Sequence, residues 1–545
     1  MKKRGTAEKN RESSLLVPLV WAVVVVALSC LPYIAGIAAE PPGGTFTGFT
    51  YNIDDACVYS SWVRQIADGS LLIRNQFTSE PQNAFQFNIF FVLLGIIAKI
   101  THLSAASVLH LARIILGIAF LVFVWKFSHH FLKEPAERLL IVPVIGLSAG
   151  LGWILPGYFE GHSGPVDMWQ PEALTFLSIY LNPLFLAGLI LIVASFHYLH
   201  RMSETGAWRD AMLAGIMLLL LANVHTYDIL TVGAVWTAYL VVKFIQARKI
   251  AWKTVLQSTV AALMTLPAIT YSIYLYQSEE VFRQRVESAA PSPELWAYLM
   301  GFGLVLLLAV AGVWIALKEH RSVILLVVWS IVGFALPYIP VDQQRKLVMG
   351  LHIPLAILAV IAIVAISRKV GPKLAGVTSM LIVLVLVPSN LLFIARDIAM
   401  LGENRTAPHY RPYLAHDEMD ALNWLRENTK PEDVVLAFPD IALFAPAVSG
   451  NRVYYGHWSE TPDYADKLQE WMLFINAAIP DEWRREFLEE SQARYIVYFS
   501  HPEGLELPFG EAGKLPVADL RNADYVEVAY ESGDTAVYAV KLLGD

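Results

Sequence analysis

Long apolar runs separated by short polar segments fill the chain from about residue 15 to residue 398, and the pattern changes after Glu403. The apolar runs have the length needed to cross about 30 Å of hydrocarbon, roughly 17 to 25 residues. After Glu403, helix-like segments such as HDEMDALNWLREN and strand-like segments such as RYIVYF and TAVYAVKL replace them. The pattern predicts an α-helical polytopic membrane domain over residues 15–398 and a soluble α/β domain over residues 403–545.

The composition agrees with a membrane protein and narrows the possible partners. Hydrophobic residues make up 56% and charged residues 16% of the 545 residues, whereas an ordinary soluble domain has about 25% charged residues. The net charge of -8 gives no reason to expect a nucleic-acid partner. The sequence contains no GxxxxGK[ST] phosphate loop, no HExxH and no clustered CxxC. These absences argue against ATP and against protein-bound zinc.

The distribution of lysine and arginine predicts which loops lie on which side of the membrane. Residues 1–14 carry five basic residues before the first span, so this tail is predicted to be cytoplasmic. The first outer loop, residues 38–112, and the C-terminal domain are then extracytoplasmic. Later basic loops fall inside only if Phe85–Ile100 lies in the outer interface as a surface helix and Arg113 leads into the next crossing. On this count the chain crosses an inner or cell membrane about eleven times.

Arg345 and Lys346 depart from this charge pattern, because the segment PYIPVDQQRKLVMG is predicted to lie outside. One explanation is that the two side chains extend to lipid headgroups. The other is that positive charge has a local function there, such as binding an anion. Both explanations are compatible with the sequence.

An acidic pair, Asp54 and Asp55, precedes an amphipathic segment that ends near Gly69 in the first outer loop. Asp is favoured at the N-cap and in the first turn of a helix, which is a purely structural explanation. The amphipathic segment suits a helix lying at the membrane interface. Neighbouring residues on a helix diverge by about 100°, so at most one carboxylate would point directly into a cleft.

The order of these features resembles the GT-C class of integral-membrane glycosyltransferases, which includes protein O-mannosyltransferases and the aminoarabinose transferase of lipid A. The matching positions are the pair Asp54 and Asp55, Gly69, the apolar stretch Phe85–Ile100, and Arg113. The tail segments ALNWLRENTKPEDVVLA and SGNRVYYGHWSET are similar to those of bacterial members. The segment SEPQN departs from the Lys-Pro or Pro-Pro that often follows the acidic pair, which leaves the subfamily open.

The resemblance implies transfer of a sugar from a polyprenyl-phosphate donor to a glycan, lipid or protein acceptor outside the cytoplasm, with inversion at the anomeric carbon. Asp54 and Asp55 are the expected catalytic residues, with Asp54 taking the proton from the acceptor hydroxyl. Arg345, Lys346 and Arg113 are the candidates for stabilising the leaving lipid phosphate. The sequence identifies no definite cofactor, and a divalent cation at the acidic pair stays an open alternative.

Two further groups of polar residues are candidates for binding substrate. They are His162, Asp167 and Glu172 in the second outer loop, and His225, Tyr227 and Asp228 at the outer end of a span. Glu172 is expected to open the apolar helix PEALTFLSIYL, where it either stabilises the helix dipole or serves as the second acidic site that the resemblance implies. Polar residues at a span end mark a cavity more often than a lipid contact.

Two other functions fit the same membrane architecture. A transporter or flippase would place charges near mid-membrane and contain internal repeats, and neither is clear in this sequence. A non-catalytic assembly or sensor protein of the same fold is also compatible, because a fold does not define an activity. Release of free polyprenyl phosphate distinguishes the transferase from both.

Overall fold

The computed structural model of the protein describes residues 15–84, 86–155, 164–405, 410–508 and 513–541. Most of the described residues up to Leu401 are helical. The helices are α1 (Leu16–Ser29), α2 (Leu31–Ala38), α3 (Ile53–Ala67), α4 (Ile89–Thr101), α5 (Ala105–Ser128), α6 (Pro135–Leu147), α7 (Thr175–Leu181), α8 (Pro183–Thr205), α9 (Trp208–Val224), α10 (Asp228–Ala247), α11 (Trp252–Leu263), α12 (Leu266–Ser278), α13 (Glu280–Glu287), α14 (Leu295–Lys318), α15 (Ile324–Ala335), α16 (His352–Val370), α17 (Ala375–Val385) and α18 (Pro388–Leu401).

The C-terminal part of the described chain combines strands and helices, and a short strand in the first outer loop pairs with it. The strands are β1 (Gly44–Phe46), β2 (Tyr413–Ala415), β3 (Val434–Ala437), β4 (Arg452–Val453), β5 (Ala493–Phe499), β6 (Glu506–Pro508), β7 (Lys514–Pro516), β8 (Val526–Ser532) and β9 (Thr535–Val540). The helices are α19 (His416–Asn428), α20 (Pro439–Val448), α21 (Tyr464–Phe474) and α22 (Asp481–Ser491).

Six helical stretches among the described residues are long and apolar enough to cross a membrane, and two bent helix pairs raise this number to eight. The bent pairs are α11 with α12 and α17 with α18, which turn by 42° and 46°. The expected count of about eleven crossings would also need α6, α9 and α15 to cross the membrane. These helices have 13, 17 and 12 residues. These three helices are shorter than a full crossing of roughly 20 residues.

Helix α16 lies at the centre of the membrane domain, with every residue from His352 to Val364 buried. Helix α14 packs closely on it, because Gly312 has no side chain and a Cβ there would lie 1.9 Å from the carbonyl oxygen of Leu358. A continuous apolar core surrounds this contact and extends to α1, α5 and α8. The membrane domain is therefore a packed bundle whose helix ends carry the candidate site.

The stretch predicted to be a surface helix forms α4, with 13 residues, and Phe85 lies outside the described residues. At 1.5 Å per residue α4 is about 20 Å long, which is shorter than the hydrocarbon core, as α6 and α15 also are. It packs against α3, where Gly95 allows contact with Ile66 and with the backbone of Val63. The two helices form one layer on the end of the bundle.

A five-stranded sheet with the strand order β4-β3-β5-β9-β8 forms the centre of the C-terminal domain. Strand β3 is parallel to β4 and β5, and the remaining pairs are antiparallel. Side chains alternate along each strand, so Val435 and Val497 pack on the layer that holds α19, α20 and α3, whereas Leu436 and Ile496 face α21 and α22. The sheet thus has a helix layer on each face, and one of these layers is shared with the membrane domain.

Candidate functional site

The acidic pair lies in the first turn of α3, where the chain leaves the left-handed conformation of Asn52 at φ 51°. Neither carboxylate is the N-cap residue, and Asn52 makes no side-chain cap of its own. Instead, the amide of Asn52 donates a hydrogen bond of 2.6 Å to Oδ2 of Asp55. The helix start accounts for the position of the pair, and it leaves both carboxylates available for other contacts.

Asp54 faces the C-terminal domain and is 3% exposed. The indole Nε1–H of Trp458 donates to its Oδ2 at 3.0 Å, while Oδ1 is buried without a hydrogen-bond partner among the described residues. Burial raises the pKa of Asp54 above the usual value, and the neighbouring Asp55 raises it further, against the opposing effects of His457 and Trp458. A carboxylate in such surroundings is a stronger base than one in water.

Asp55 has the opposite environment, because 43% of its side chain is exposed. It borders a cavity that is also lined by Tyr59, His110, Arg113 and Asn182. Burial of its carboxyl group acts to raise the pKa of Asp55, but His457, the Asn52 hydrogen bond and the charge of Lys346 together lower it to about 2. Asp55 is therefore ionised throughout the physiological pH range and is a weak base.

His457, from the loop after β4, is the residue that the sequence analysis did not assign to the site. Its ring is 1% exposed, and Nε2 lies 3.7 Å from Oδ2 of Asp54 and 3.6 Å from Oδ1 of Asp55. The backbone N–H groups of Ser459 and Glu460 donate to Nδ1 at 3.1 and 3.3 Å. Because Nδ1 accepts these bonds, the ring proton lies on Nε2 and points at the acidic pair. Burial lowers the pKa of His457, but the two carboxylates outweigh it and raise the value.

Arg345 and Lys346 lie together in a short 3-10 helix, Gln344–Val348, just before α16. The guanidinium carbon of Arg345 is 5.8 Å from the ring centroid of Trp169, and its Nε is buried without a hydrogen-bond partner among the described residues. The Lys346 ammonium is 4.9 Å from the ring centroid of Tyr227. Since the charge of Lys346 also lowers the pKa of Asp55, the basic pair and the acidic pair belong to one electrostatic environment.

His225 and Asp228 form a buried pair at the break between α9 and α10, with Nδ1 of the histidine 3.0 Å from Oδ2 of the aspartate. Oδ1 of Asp228 has no hydrogen-bond partner within the described chain. Gly188 of α8 leaves room for the pair, because a Cβ there would lie 3.2 Å from Asp228 Oδ2. Tyr227 therefore contacts Lys346. His225 and Asp228, in contrast, are bonded to each other.

Arg113 is 2% exposed and lines the cavity beside Asp55. Its Nη1 donates to the hydroxyl of Ser29 at 2.9 Å and to the carbonyl oxygen of Ile179 at 3.1 Å. Its guanidinium carbon also lies 4.6 Å from the ring centroid of Tyr33. Most of its donors are thus committed to fixing helices, although Nε has no hydrogen-bond partner among the described residues.

Asp167 and Glu172 do not join the acidic pair, and His162 lies outside the described residues. Asp167 is fully buried and accepts the backbone N–H of Gly152 at 3.0 Å, and burial raises its pKa to about 6. The expectation that Glu172 opens an apolar helix is wrong, because α7 begins at Thr175. The backbone N–H of Thr175 donates to Nδ1 of His352 at 3.3 Å, so a tertiary contact sets the start of the helix.

The loop that contains α13 contributes a further contact that the sequence analysis did not assign. Nε of Arg285 lies 2.7 Å from Oε1 of Glu460, three residues after His457. The same guanidinium lies 4.8 Å from the ring centroid of Trp62 on α3. This loop therefore holds the His457 segment against the helix that carries the acidic pair.

The helical bundle with its docked α/β domain has the fold of an archaeal oligosaccharyltransferase of known structure. The chain is similar to the oligosaccharyltransferase of Archaeoglobus fulgidus in its apo crystal structure, with 14% identity and a TM-score of 0.52 over 88% of this chain and 69% of that chain. A second structure of this archaeal enzyme, AglB with an inhibitory peptide and a dolichol-phosphate, gives 13% identity and a TM-score of 0.48 over the same shares. No protein-family model matches the chain, and no curated protein matches it significantly.

Proposed function

We propose that the protein is a glycosyltransferase that moves a sugar from a polyprenyl-phosphate donor to an acceptor hydroxyl, with inversion at the anomeric carbon. The observation that carries the proposal is the unlike pair of adjacent carboxylates at the junction of the two domains. Asp54 has a raised pKa and Asp55 a lowered one. Two titratable groups whose surroundings separate their pKa values in this way are typical of sites that move a proton.

Asp54 acts as the general base in this proposal. Its carboxylate takes the proton of the acceptor hydroxyl while the hydroxyl oxygen bonds to the anomeric carbon, and the bond from that carbon to the phosphate oxygen breaks. The electron pair of the broken bond leaves with the polyprenyl phosphate. Oδ1 of Asp54, which has no partner among the described residues, is the oxygen available to receive the proton.

Lys346 and Arg345 stabilise the negative charge that develops on the leaving phosphate. Both side chains rest on aromatic rings, which hold them in place without neutralising their charge. Positive groups that are fixed before the reaction stabilise a developing charge more effectively than mobile ones. In this proposal the donor sugar lies at the exposed side of Asp55, next to the small cavity that has Arg113 and Asn182 on its walls.

The acceptor approaches from the C-terminal domain, on the side of Asp54 and Trp458. His457, with its Nε2 proton directed at both carboxylates, positions the pair. A divalent cation at the acidic pair is the alternative occupant, because carboxylate oxygens suit such ions and Oδ1 of Asp54 has no hydrogen-bond partner among the described residues. Asp54 and Asp55 would hold it, and it would supply positive charge for binding anionic oxygens.

The test measures release of free polyprenyl phosphate by the purified full-length protein from a panel of polyprenyl-phosphate sugars. We expect release with at least one sugar in the presence of acceptor, and loss of release in Asp54→Asn. Asp68→Asn, at the exposed end of α3, is the matched control and should behave as wild type. Movement of intact donor lipid across vesicles without cleavage would instead identify a flippase, and added EDTA separates the metal-dependent form from the metal-free one.

A further inference from the structure

Three histidines and a glutamate meet at the end of the bundle that lies farthest from the acidic pair. Helix α8 begins at Pro183, which borders the cavity beside Asp55. His200 and Glu204 lie about 25 to 30 Å further along the same helix, given 1.5 Å per residue. His130 approaches them from the turn that follows α5. The cluster therefore belongs to the opposite face of the membrane domain and has no part in the proposed transfer reaction.

The donor atoms of the cluster are close enough to share one ion. One ligand atom each from His130, His200 and Glu204 lies within 4.8 Å of the others. Nε2 of His200 is 3.2 Å from Oε1 of Glu204. A tetrahedral zinc ion with bonds of about 2.0 to 2.2 Å separates its ligand atoms by roughly 3.3 to 3.6 Å. The His200 and Glu204 pair already meets this distance, and His130 needs only a small inward turn.

His200 and Glu204 reach the same face of α8 because they are four residues apart, which is about one helical turn. His197, one turn earlier, contacts His130, with Nδ1 of His197 lying 3.0 Å from Nε2 of His130. When Nε2–H of His130 donates this bond, Nδ1 of His130 keeps its lone pair for a ligand. A histidine that binds a metal ordinarily gives its other ring N–H to a neighbour in this way.

The two ring nitrogens of His200 have different surroundings. The side chain is 7% exposed, and Nε2 faces Glu204 at 3.2 Å, whereas Nδ1 has no hydrogen-bond partner anywhere in the described chain. When Nδ1 carries the ring proton, Nε2 keeps its lone pair for a ligand. A neighbouring cation, Arg201, lies 3.5 Å from Asp210, so that carboxylate partly balances its charge.

We propose that His130, His200 and Glu204 bind one zinc ion, with His197 as the supporting hydrogen-bond partner and water in the fourth position. Imidazole nitrogens with a carboxylate oxygen suit zinc, and the cluster offers no thiolate. The ion ties the turn after α5 to the end of α8 and so fixes one face of the bundle. The usual zinc motifs are absent because the ligands come from two separate helices.

The experiment titrates chelator-treated, full-length protein with Zn²⁺ and with Co²⁺ as a spectroscopic probe. The double variant Asp54→Asn/Asp55→Asn serves as the background, because it removes the donor atoms of the acidic pair. We expect about one ion per chain, a visible absorption band typical of tetrahedral Co²⁺, and a higher unfolding temperature with Zn²⁺. Glu204→Gln and His130→Gln should each weaken binding by at least about tenfold, because loss of a ligand should cost no less than loss of a partner that only orients one.

His129→Gln is the matched control, because His129 is adjacent in sequence but its Nδ1 lies 2.7 Å from the carbonyl oxygen of Trp125. This variant should bind Zn²⁺ as the background does. Absence of saturable binding, or an equal loss in His129→Gln, would overturn the proposal, as would tighter binding of Mn²⁺, which follows zinc in affinity at nitrogen sites. Glu204, with 59% of its side chain exposed, tolerates substitution without unfolding and keeps the test decisive if a histidine variant does not fold.

Discussion

Asp54 and Asp55 are neighbours in sequence, yet they belong to two different regions of the molecule. Asp54 is enclosed by the C-terminal domain through Trp458, whereas Asp55 borders a cavity between membrane helices. The difference in their pKa values follows from these surroundings and not from the residues themselves. This difference shows that the C-terminal domain is part of the candidate site, because without that domain Asp54 would lose both its burial and its hydrogen bond from Trp458.

The largest expected effect comes from replacing the two carboxylates one at a time. Asp54→Asn should lower kcat by about 10² to 10⁴-fold, the range for loss of a general base. Asp55→Asn should retain more activity, because the ionised Asp55 orients its neighbours and takes no proton. Turnover rates of both variants, measured with saturating donor, check this order. Equal losses would mean that the pair acts as one unit, for example around a cation.

The basic pair provides the next test, because it lies on the Asp55 side of the site. The double change of Arg345 and Lys346 to Gln should lower turnover by about 10² to 10³-fold, while donor binding weakens less, since the phosphate charge develops as the bond breaks. Arg345→Lys keeps the charge but loses the planar guanidinium fork. Its turnover should therefore fall between that of wild type and that of the double Gln variant. Turnover and donor affinity are measured separately. If turnover per folded molecule is unchanged, Arg345 and Lys346 only anchor the chain to lipid headgroups. Arg113 would then be the candidate for stabilising the leaving phosphate.

His457 connects the two sides, so its replacement should affect both carboxylates. His457→Gln should reduce turnover by about tenfold or more and raise the pKa of Asp55 above its value of about 2, because an attractive neighbour is lost. The pH dependence of activity and of unfolding reports the two effects. His501→Gln, at an exposed position of the same domain, is the control. A change in stability alone, with normal turnover, would assign His457 to domain docking.

The smallest expected effect comes from removing the hydrogen bond that Trp458 donates to Asp54. Trp458→Phe removes a donor that favours the ionised form, so the pKa of Asp54 rises. A general base must be deprotonated, so activity is lost as the pH falls through this pKa, and the acid limb should move to higher pH by up to about one unit. The pH profile of kcat/KM is the measurement. The control variant Trp483→Phe should leave the acid limb of this profile unchanged. If the acid limb also stays unchanged in Trp458→Phe, the result argues against Asp54 as the base.

Much of the fold was predictable from local pattern, because helices and strands depend on nearby residues. The segment HDEMDALNWLREN forms α19 with the same boundaries, and RYIVYF lies within β5. The start of α7 was not predictable, because it depends on His352, which is 177 residues away. The expected count of about eleven crossings stays a prediction, because length and composition identify six to eight of them and the remaining three depend on the shorter helices α6, α9 and α15.

The candidate site was predicted only where it is continuous in sequence. The acidic pair and its helix follow from a short motif, but the contact of Trp458 with Asp54 joins residues 404 positions apart. Neither His457 nor Trp458 has a local signal that distinguishes it from an ordinary loop residue, although both belong to the tail segment that supported the resemblance. Their role depends on how α20 packs on α3, which is a property of two domains together.

The pairing of β1 with β2 has a consequence for biosynthesis. Gly44 in the first outer loop pairs with Ala415, so this strand has no partner until the whole membrane domain has been translated. At about 5 to 20 residues per second, the ribosome needs roughly 20 to 75 seconds to supply it. During that interval α3 and its acidic pair lack their covering domain. A chain truncated before β2 therefore lacks the residues that enclose Asp54, so assembly of the candidate site depends on completion of synthesis.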